Sequence, residues 1–247
     1  MELRLDLHIH SQASPDGRMP LEEIVQTALD RGLDGAAVCD HDRVLSKADA
    51  AAVRLAYPDF LLIPGVEVST DQGHLLGLFV TEPIQSREFA AASRAIRAQG
   101  GLAVLAHPYE HSRDPGRPEP LAPFLDGVEV WNSRAERKNR QANAMAEDFA
   151  RVHGLRRFGG SDAHVPREIG NGVTAVRARE RTLDAVREAL FSGETAVSGR
   201  RSLAVDTAAS QFTRRRKTHA GGLSYCKWAL FGIKCQIEDW IHRVAGE

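Results

Sequence analysis

The chain opens on an alternation of apolar and polar residues, Leu3, Leu5, Leu7 and Ile9 with polar residues between, and this period of two predicts a first strand. Residues 11–20, rich in Ser, Pro, Asp and Gly, predict a loop. The period then lengthens. Leu21, Ile24, Val25, Ala28 and Leu29 recur at helical spacing behind Pro20, and Gly32 ends the run. Further along, the pattern predicts strands over 35–39, 60–68, 102–106, 127–131, 157–159 and 173–176. A return strand at 74–80 pairs with the third strand as a hairpin. Helices are expected over 46–56, 86–99, 135–152 and 181–192, and an irregular loop over 110–120, where three prolines fall. Strand and helix alternate to about residue 200, which argues an α/β fold built on parallel strands.

Polar residues break the apolar runs at one recurring place, the carboxyl ends of the strands. His8 and His10 close the first, Asp40 and His41 follow the second, Glu67 ends the third, His107 the fourth, and Asp162 and His164 the sixth. In a βα barrel the loops at that end converge on one cavity, so these residues would ring a single site. Two histidines one residue apart on a strand point to the same side, an arrangement that suits a metal ion better than a core. Imidazole and carboxylate groups without thiolate suit Mn, Fe or Zn. The candidate ligands are His8, His10, Asp16, His41, Glu67, His74, His107, Asp162 and His164, which include six of the ten histidines. Nine are too many for one ion, so two or three divalent transition metals follow, with Glu67 as the bridging carboxylate. Such clusters suit displacement at phosphorus by an activated water. His74 could also be a solvent-facing hairpin residue, and Asp16 a turn residue before Gly17. Asp40 and Asp42 read as partners of the ligands or as loop residues, and His111, His153 and His219 have no supporting context.

The motifs DLHIH, SPDG, CDHD, PGVEVS, GHLLG, AHP and GSDAH stand in that order over residues 3 to about 200. In these motifs the chain resembles the PHP (polymerase and histidinol phosphatase) superfamily. The resemblance implies a distorted (β/α)7 TIM-like barrel with its metal site at the C-terminal ends of the strands. It implies one metal on His8, His10, Glu67 and Asp162, a second on Glu67, His107 and His74, and a third on Asp16, His41 and His164. The chain departs from many relatives in having Cys39 before Asp40, which reads as a packed strand residue. It also has only residues 81–101 where nucleotide- and RNA-directed relatives often insert a helical domain. The expected activity is a metal-dependent phosphoesterase acting on a small phosphomonoester, a nucleotide such as a 3′,5′-bisphosphate, or a short oligonucleotide end. Glu67, Asp162, His164 and Arg134 are expected to carry the reaction, and Arg18, Arg113 and Arg134 to hold the substrate phosphate. The rest of the basic residues after the fifth strand, Arg137, Lys138 and Arg140, read as the solvated face of a helix. An amidohydrolase, a histidinol-phosphate phosphatase-like enzyme and a non-catalytic metal-binding module are the alternative readings.

Composition adds a boundary. The 247 residues are 43% hydrophobic with a net charge of −1. Residues 203–247, however, carry seven Lys or Arg against four Asp or Glu, so a basic tail follows a mildly acidic body over 1–202. A strongly basic nucleic-acid binder is not indicated. Arg214 to Lys217 precede an apolar stripe of Cys226, Leu230, Ile233, Ile237, Trp240 or Ile241, and Val244. The stripe predicts an amphipathic helix that docks on the barrel or on a second subunit, in preference to an anionic membrane surface. Three unspaced cysteines, the absence of a signal-peptide pattern and the absence of a long apolar run predict a cytoplasmic protein.

Overall fold

The structure is a computed structural model, and it describes residues 1–110, 118–219 and 222–245. The strands are β1 (Glu2–Ile9), β2 (Gly35–Val38), β3 (Leu61–Thr70), β4 (Gly73–Leu78), β5 (Leu102–Leu105), β6 (Gly127–Asn132), β7 (Arg156–Gly160), β8 (Gly172–Arg177) and β9 (Thr195–Gly199). They form one mixed sheet in the order β7-β6-β5-β4-β3-β2-β1-β8-β9. β1–β2, β2–β3, β5–β6 and β6–β7 pair in parallel, while β3–β4, β4–β5, β1–β8 and β8–β9 are antiparallel. The sheet curls into a nearly closed, distorted barrel. Its seam is tied by side chains: Thr174 Oγ1 accepts from Gly159 N and donates to Gly159 O, and Thr195 Oγ1 donates to Arg157 O. β8 and β9 thus depart from the expected run of βα units. Residues 195–199 carry too few apolar positions to announce a strand, and pairing with β8 makes one of them.

Helices α1 (Leu21–Asp30), α2 (Lys47–Ala56), α3 (Phe89–Ala98) and α5 (Ala142–His153) cover the barrel, and α6 (Leu183–Ser192) closes its floor. Caps set their limits. Ser46 and Thr182 accept from the backbone three residues on, and Gly154 and Gly193 end their helices in the left-handed conformation. The single helix expected over 135–152 is two. A short α4 (Ser133–Lys138) is capped by Asn132, and extended backbone at Asn139 separates it from α5.

Inside the barrel an apolar layer supports a polar one. Leu3, Leu5, Leu7, Ile63, Leu76, Leu78, Val104 and Phe158 pack together over Val186 and Leu190 of α6. On the opposite faces of the same strands, Val38 and Leu62 pack under α1 and α2, and Val66 and Leu75 pack under α3. Ile9 breaks the expected alternation, because it packs with Met19 and Ile24 outside the barrel and not with Leu7. The register of β1 against β2 shifts between Asp6 and Ile9. That bulge turns the last residues of the strand over, so that His8 and His10 face inward.

The tail forms α7 (Ala204–Lys217) and α8 (Gly222–Ala245). α7 is bound to the barrel by Arg167–Asp206, by Arg134 Nη1 donating to Ser210 Oγ, and by Lys217. α8 packs on α7 through Cys235 and Asp239, whose carboxylate accepts from the backbone N–H of Ala204 and Val205. The stripe of larger residues faces the other way. Leu230, Ile233, Ile237 and Trp240 are exposed, because small residues such as Ala208 make the closer contact. Among the described residues no helix is long and apolar enough to cross a membrane.

Candidate metal centre

Each strand delivers its next inward residue above the apolar layer, and there the side chains change from Leu and Val to His, Asp and Glu. His8 Nε2 and His10 Nε2 lie 3.1 Å apart, close to the separation of two nitrogens bound about 2.1 Å from one ion. Asp162 Oδ1 is 3.2 Å from His10 Nε2 and 3.7 Å from His8 Nε2. Glu67, in the next inward place on β3 after Ile63 and Gly65, is the centre of the array. Its Oε1 lies 2.8 Å from His74 Nδ1 and 3.0 Å from His107 Nε2, and its Oε2 lies 2.9 Å from His41 Nδ1 and 3.3 Å from His10 Nε2. Asp16 Oδ1 is 3.3 Å from His164 Nε2 and 3.6 Å from His41 Nε2. Three groups have donor atoms close enough to share an ion: His8, His10 and Asp162; Glu67, His74 and His107; His10, His41 and His164. His74 belongs to the amino end of its strand, which reaches the common rim because β4 runs antiparallel to β3.

These residues fit divalent cations. Asp16 Oδ1, Glu67 Oε2 and His74 Nδ1 are buried without a hydrogen bond, although each has a potential partner nearby. Buried polar atoms left this way are costly unless something else engages them. His107 and Asp162 hold backbone φ of +29° and +55°, in the left-handed region that most side chains avoid. Electrostatics point the same way. Burial disfavours the charged forms of Glu67 and Asp162, but the surrounding imidazoles, His8 foremost, hold both well below the usual carboxylate range. Burial and the charge of His164 push His10 down to about 4, whereas, against burial, neighbouring carboxylates, Glu129 foremost for His8 and Asp16 for His41, raise those two imidazoles.

A layer of partners fixes the ligands. His8 Nδ1 is 3.0 Å from Glu129 Oε1, and Glu129 Oε2 accepts from His107 N and from Asn132 Nδ2. His10 Nδ1 meets Ser14 Oγ at 3.0 Å, and Ser14 donates to Asp40 at 2.7 Å. Such contacts set the tautomer and aim of a ligating imidazole. Gly160 is required by this crowding, since a Cβ there would stand 2.4 Å from the Cβ of His8. Asp42 instead binds Ser69 of β3 and Arg87 just before α3. Cys39 is fully buried against Leu7 O, and burial drives its thiol far up in pKa, as befits a packed residue.

The three expected phosphate-binding arginines are placed differently. Arg134 is buried: Nε and Nη2 clasp Glu168 at 2.9 and 2.7 Å, and Nη1 donates to Ser210. Three of its five N–H groups are thus engaged within the protein. Glu168 Oε2 also accepts from His164 N, so Arg134 supports a candidate ligand from behind. Arg18 is exposed, beside the tail. Arg113 and His111 lie outside the described residues.

Sequence reasoning missed Glu129 and Glu168. Lys138, read as solvated, is exposed and binds Glu110, whose other oxygen is 3.5 Å from His107 Nδ1. Desolvation lowers the pKa of Lys138, while the charges of Asp162, Glu67 and Asp16 oppose that shift.

Known proteins share this architecture. A PHP domain model matches residues 6–93, and a PHP-associated model matches residues 140–195. An uncharacterised protein of Methanocaldococcus jannaschii is 29% identical over 177 residues, 68% of each chain. A 5′-3′ exoribonuclease of Haemophilus influenzae is 35% identical over 109 residues, 39% of this chain and 38% of that one. The crystal structure of a two-domain protein from Bacteroides vulgatus, containing a predicted PHP-like metal-dependent phosphoesterase, superposes with a TM-score of 0.67 at 26% identity. That match covers 81% of this chain and 65% of the other, so the present chain spans just under two-thirds of the solved one.

Proposed function

The chain belongs to the PHP family, whose members are metal-dependent phosphoesterases, and from that premise we propose that it hydrolyses phosphomonoesters at a cluster of two or three divalent ions. One observation carries the reading: a single buried carboxylate, Glu67, stands among five imidazoles with one oxygen lacking any hydrogen bond. His8, His10, Asp162 and Glu67 would hold one ion, Glu67, His74 and His107 a second, and Asp16, His41 and His164 a third. Mn, Fe or Zn suits these donors. Such ions supply Lewis acidity and an activated water at phosphorus.

The protein's own groups do the rest. Glu67 balances the charge of the cluster, and Glu129 and Ser14 keep His8 and His10 aimed. Arg134, through Glu168, fixes the backbone of His164. Lys138, paired with Glu110 near His107, would be a cation for a phosphoryl oxygen at the rim.

The reading is tested by reconstituting the full chain with Mn, Fe or Zn and measuring phosphate release from a panel of esters. Metal content is measured on the same samples. Turnover of at least one monoester is expected, and metal-replete protein silent on the whole panel would refute it. A second reading, hydrolysis at the end of a short oligonucleotide, is favoured by the 39% of the chain that matches the exoribonuclease. Release of nucleotides from a 5′-labelled trinucleotide would select it.

A further inference from the structure

Beside the metal centre lies a cleft of about 610 Å³, formed where α7 and α8 face the loop that carries Asp16. Its size is that of a small-molecule site. Gln12 and Arg18 form one wall, each two residues from a candidate ligand, His10 and Asp16 respectively. Phe212, Arg216, Trp228 and Gly232 form the other. The two walls are joined by Lys217, whose ammonium donates to the carbonyls of Gln12, Ser14 and Gly17 at 2.7, 2.8 and 2.6 Å. Lys217 is thereby committed to the junction. Arg18 and Arg216 line the cleft, and among the described residues neither guanidinium makes a hydrogen bond or an ion pair.

The cleft therefore presents two cations and an aromatic lining over a floor of small residues. Phe212 is 41% exposed, and Trp228 is held in place by Arg215 over its ring at 5.7 Å and by the edge of Phe231. A Cβ on Gly232 would stand in ordinary contact with Ala208 at 3.9 Å, so α7 and α8 pack closely there, and the flat surfaces offered to a ligand are the rings of Phe212 and Trp228. The scissile phosphate belongs to the metal centre, which leaves these guanidiniums for a different anion. We propose that this cleft receives the distal part of the substrate, a flat ring bearing a second anionic group. This rests on the phosphoesterase reading and names its substrate class. The α7–α8 hairpin then takes the place of the lid that residues 81–101 are too short to supply.

Three probes test it on the metal-loaded full chain: p-nitrophenyl phosphate, a nucleoside 3′,5′-bisphosphate and a 5′-phosphorylated trinucleotide. In Arg216→Glu, the ratio of kcat/KM for a two-phosphate probe to that for p-nitrophenyl phosphate should fall at least tenfold. Arg216→Lys should recover most of it, and Phe212→Ala should lower the same ratio by stacking loss. A fall confined to the bisphosphate identifies a mononucleotide, and one confined to the trinucleotide identifies an oligonucleotide end. An unchanged ratio for both overturns the proposal. If the wild-type chain releases phosphate from no ester, the phosphoesterase reading fails by itself. Equilibrium dialysis of labelled bisphosphate then decides the cleft. Binding at least tenfold weaker to Arg216→Glu supports it, and equal binding or none overturns it.

Discussion

Five imidazoles lie within 3.6 Å of the oxygens of Glu67, so this side chain holds together ligands that would otherwise repel one another once protonated. Glu67→Gln keeps the shape and removes the charge. Turnover should fall by about a thousandfold or more, with loss of bound metal and an unchanged circular dichroism spectrum; near-normal activity would show the site to be wrongly assigned. A second buried carboxyl has a purely structural use. Asp6 accepts from the N–H groups of His8, Ser161 and Gly170, yet burial lifts its pKa from 3.8 to about 6. Between these values the unfolded chain has given up a proton that the folded chain retains. Rising pH across that interval therefore favours unfolding through Asp6, and above about 6 the effect is constant. In chelated protein, the stability of wild type relative to Asp6→Asn should decline by up to about 3 kcal/mol from pH 4 to pH 7, read by denaturant titration. A constant or growing difference would contradict it. The histidines were legible in the sequence because they interrupt apolar runs at strand ends. Glu129 was not, since a carboxylate in Val-Glu-Val reads as the wet face of a half-buried strand and only barrel closure turns it inward. The partner of Arg134 was hidden as well: Glu168 is 34 residues away.

At the scale of elements, sequence periodicity located the strands and helices of the barrel and failed where tertiary contact overrides it. The bulge in β1 moves Ile9 out of the face it shares with Leu7, and no spacing rule announces it. Asn139 splits one expected helix because its Nδ2 donates to Tyr109 O. α7 carries no strong apolar stripe, so only its basic end stood out. The apolar stripe of α8 marks a helix but not its buried side, which is set by Cys235 and Asp239. Asp239 caps α7 from a different helix, and removing that carboxylate leaves two N–H groups at a helix start without a partner. Asp239→Ala should cost about 1–2 kcal/mol and loosen the hairpin before the barrel, seen as earlier proteolysis within 204–245. Equal protease resistance in the two proteins would show that the cap contributes little.

For the whole molecule, the acidic and imidazole side chains gathered above the apolar layer make stability depend on what they bind. More than one transition metal per chain is expected after Mn reconstitution, and chelation should lower the Tm by several degrees. One ion or fewer in fully active protein would remove the cluster. The family motifs made this centre readable from end to end of the barrel. The tail's part in it was not readable, because Ser210 and Lys217 act through hydrogen bonds to residues far away in sequence. That connection has a thermodynamic corollary. Ser210 is bonded to Arg134, Arg134 to Glu168, and Glu168 to the backbone of His164, so the helix and the ligand share one continuous chain of hydrogen bonds. Coupling of this kind is reciprocal: whatever order the ions impose on His164 must reach α7, and whatever loosens α7 must weaken the hold on the ions by the same factor. Amides of 204–217 should therefore exchange with deuterium more slowly in metal-loaded than in chelated protein, and Ser210→Ala should shrink that difference while lowering metal affinity to match.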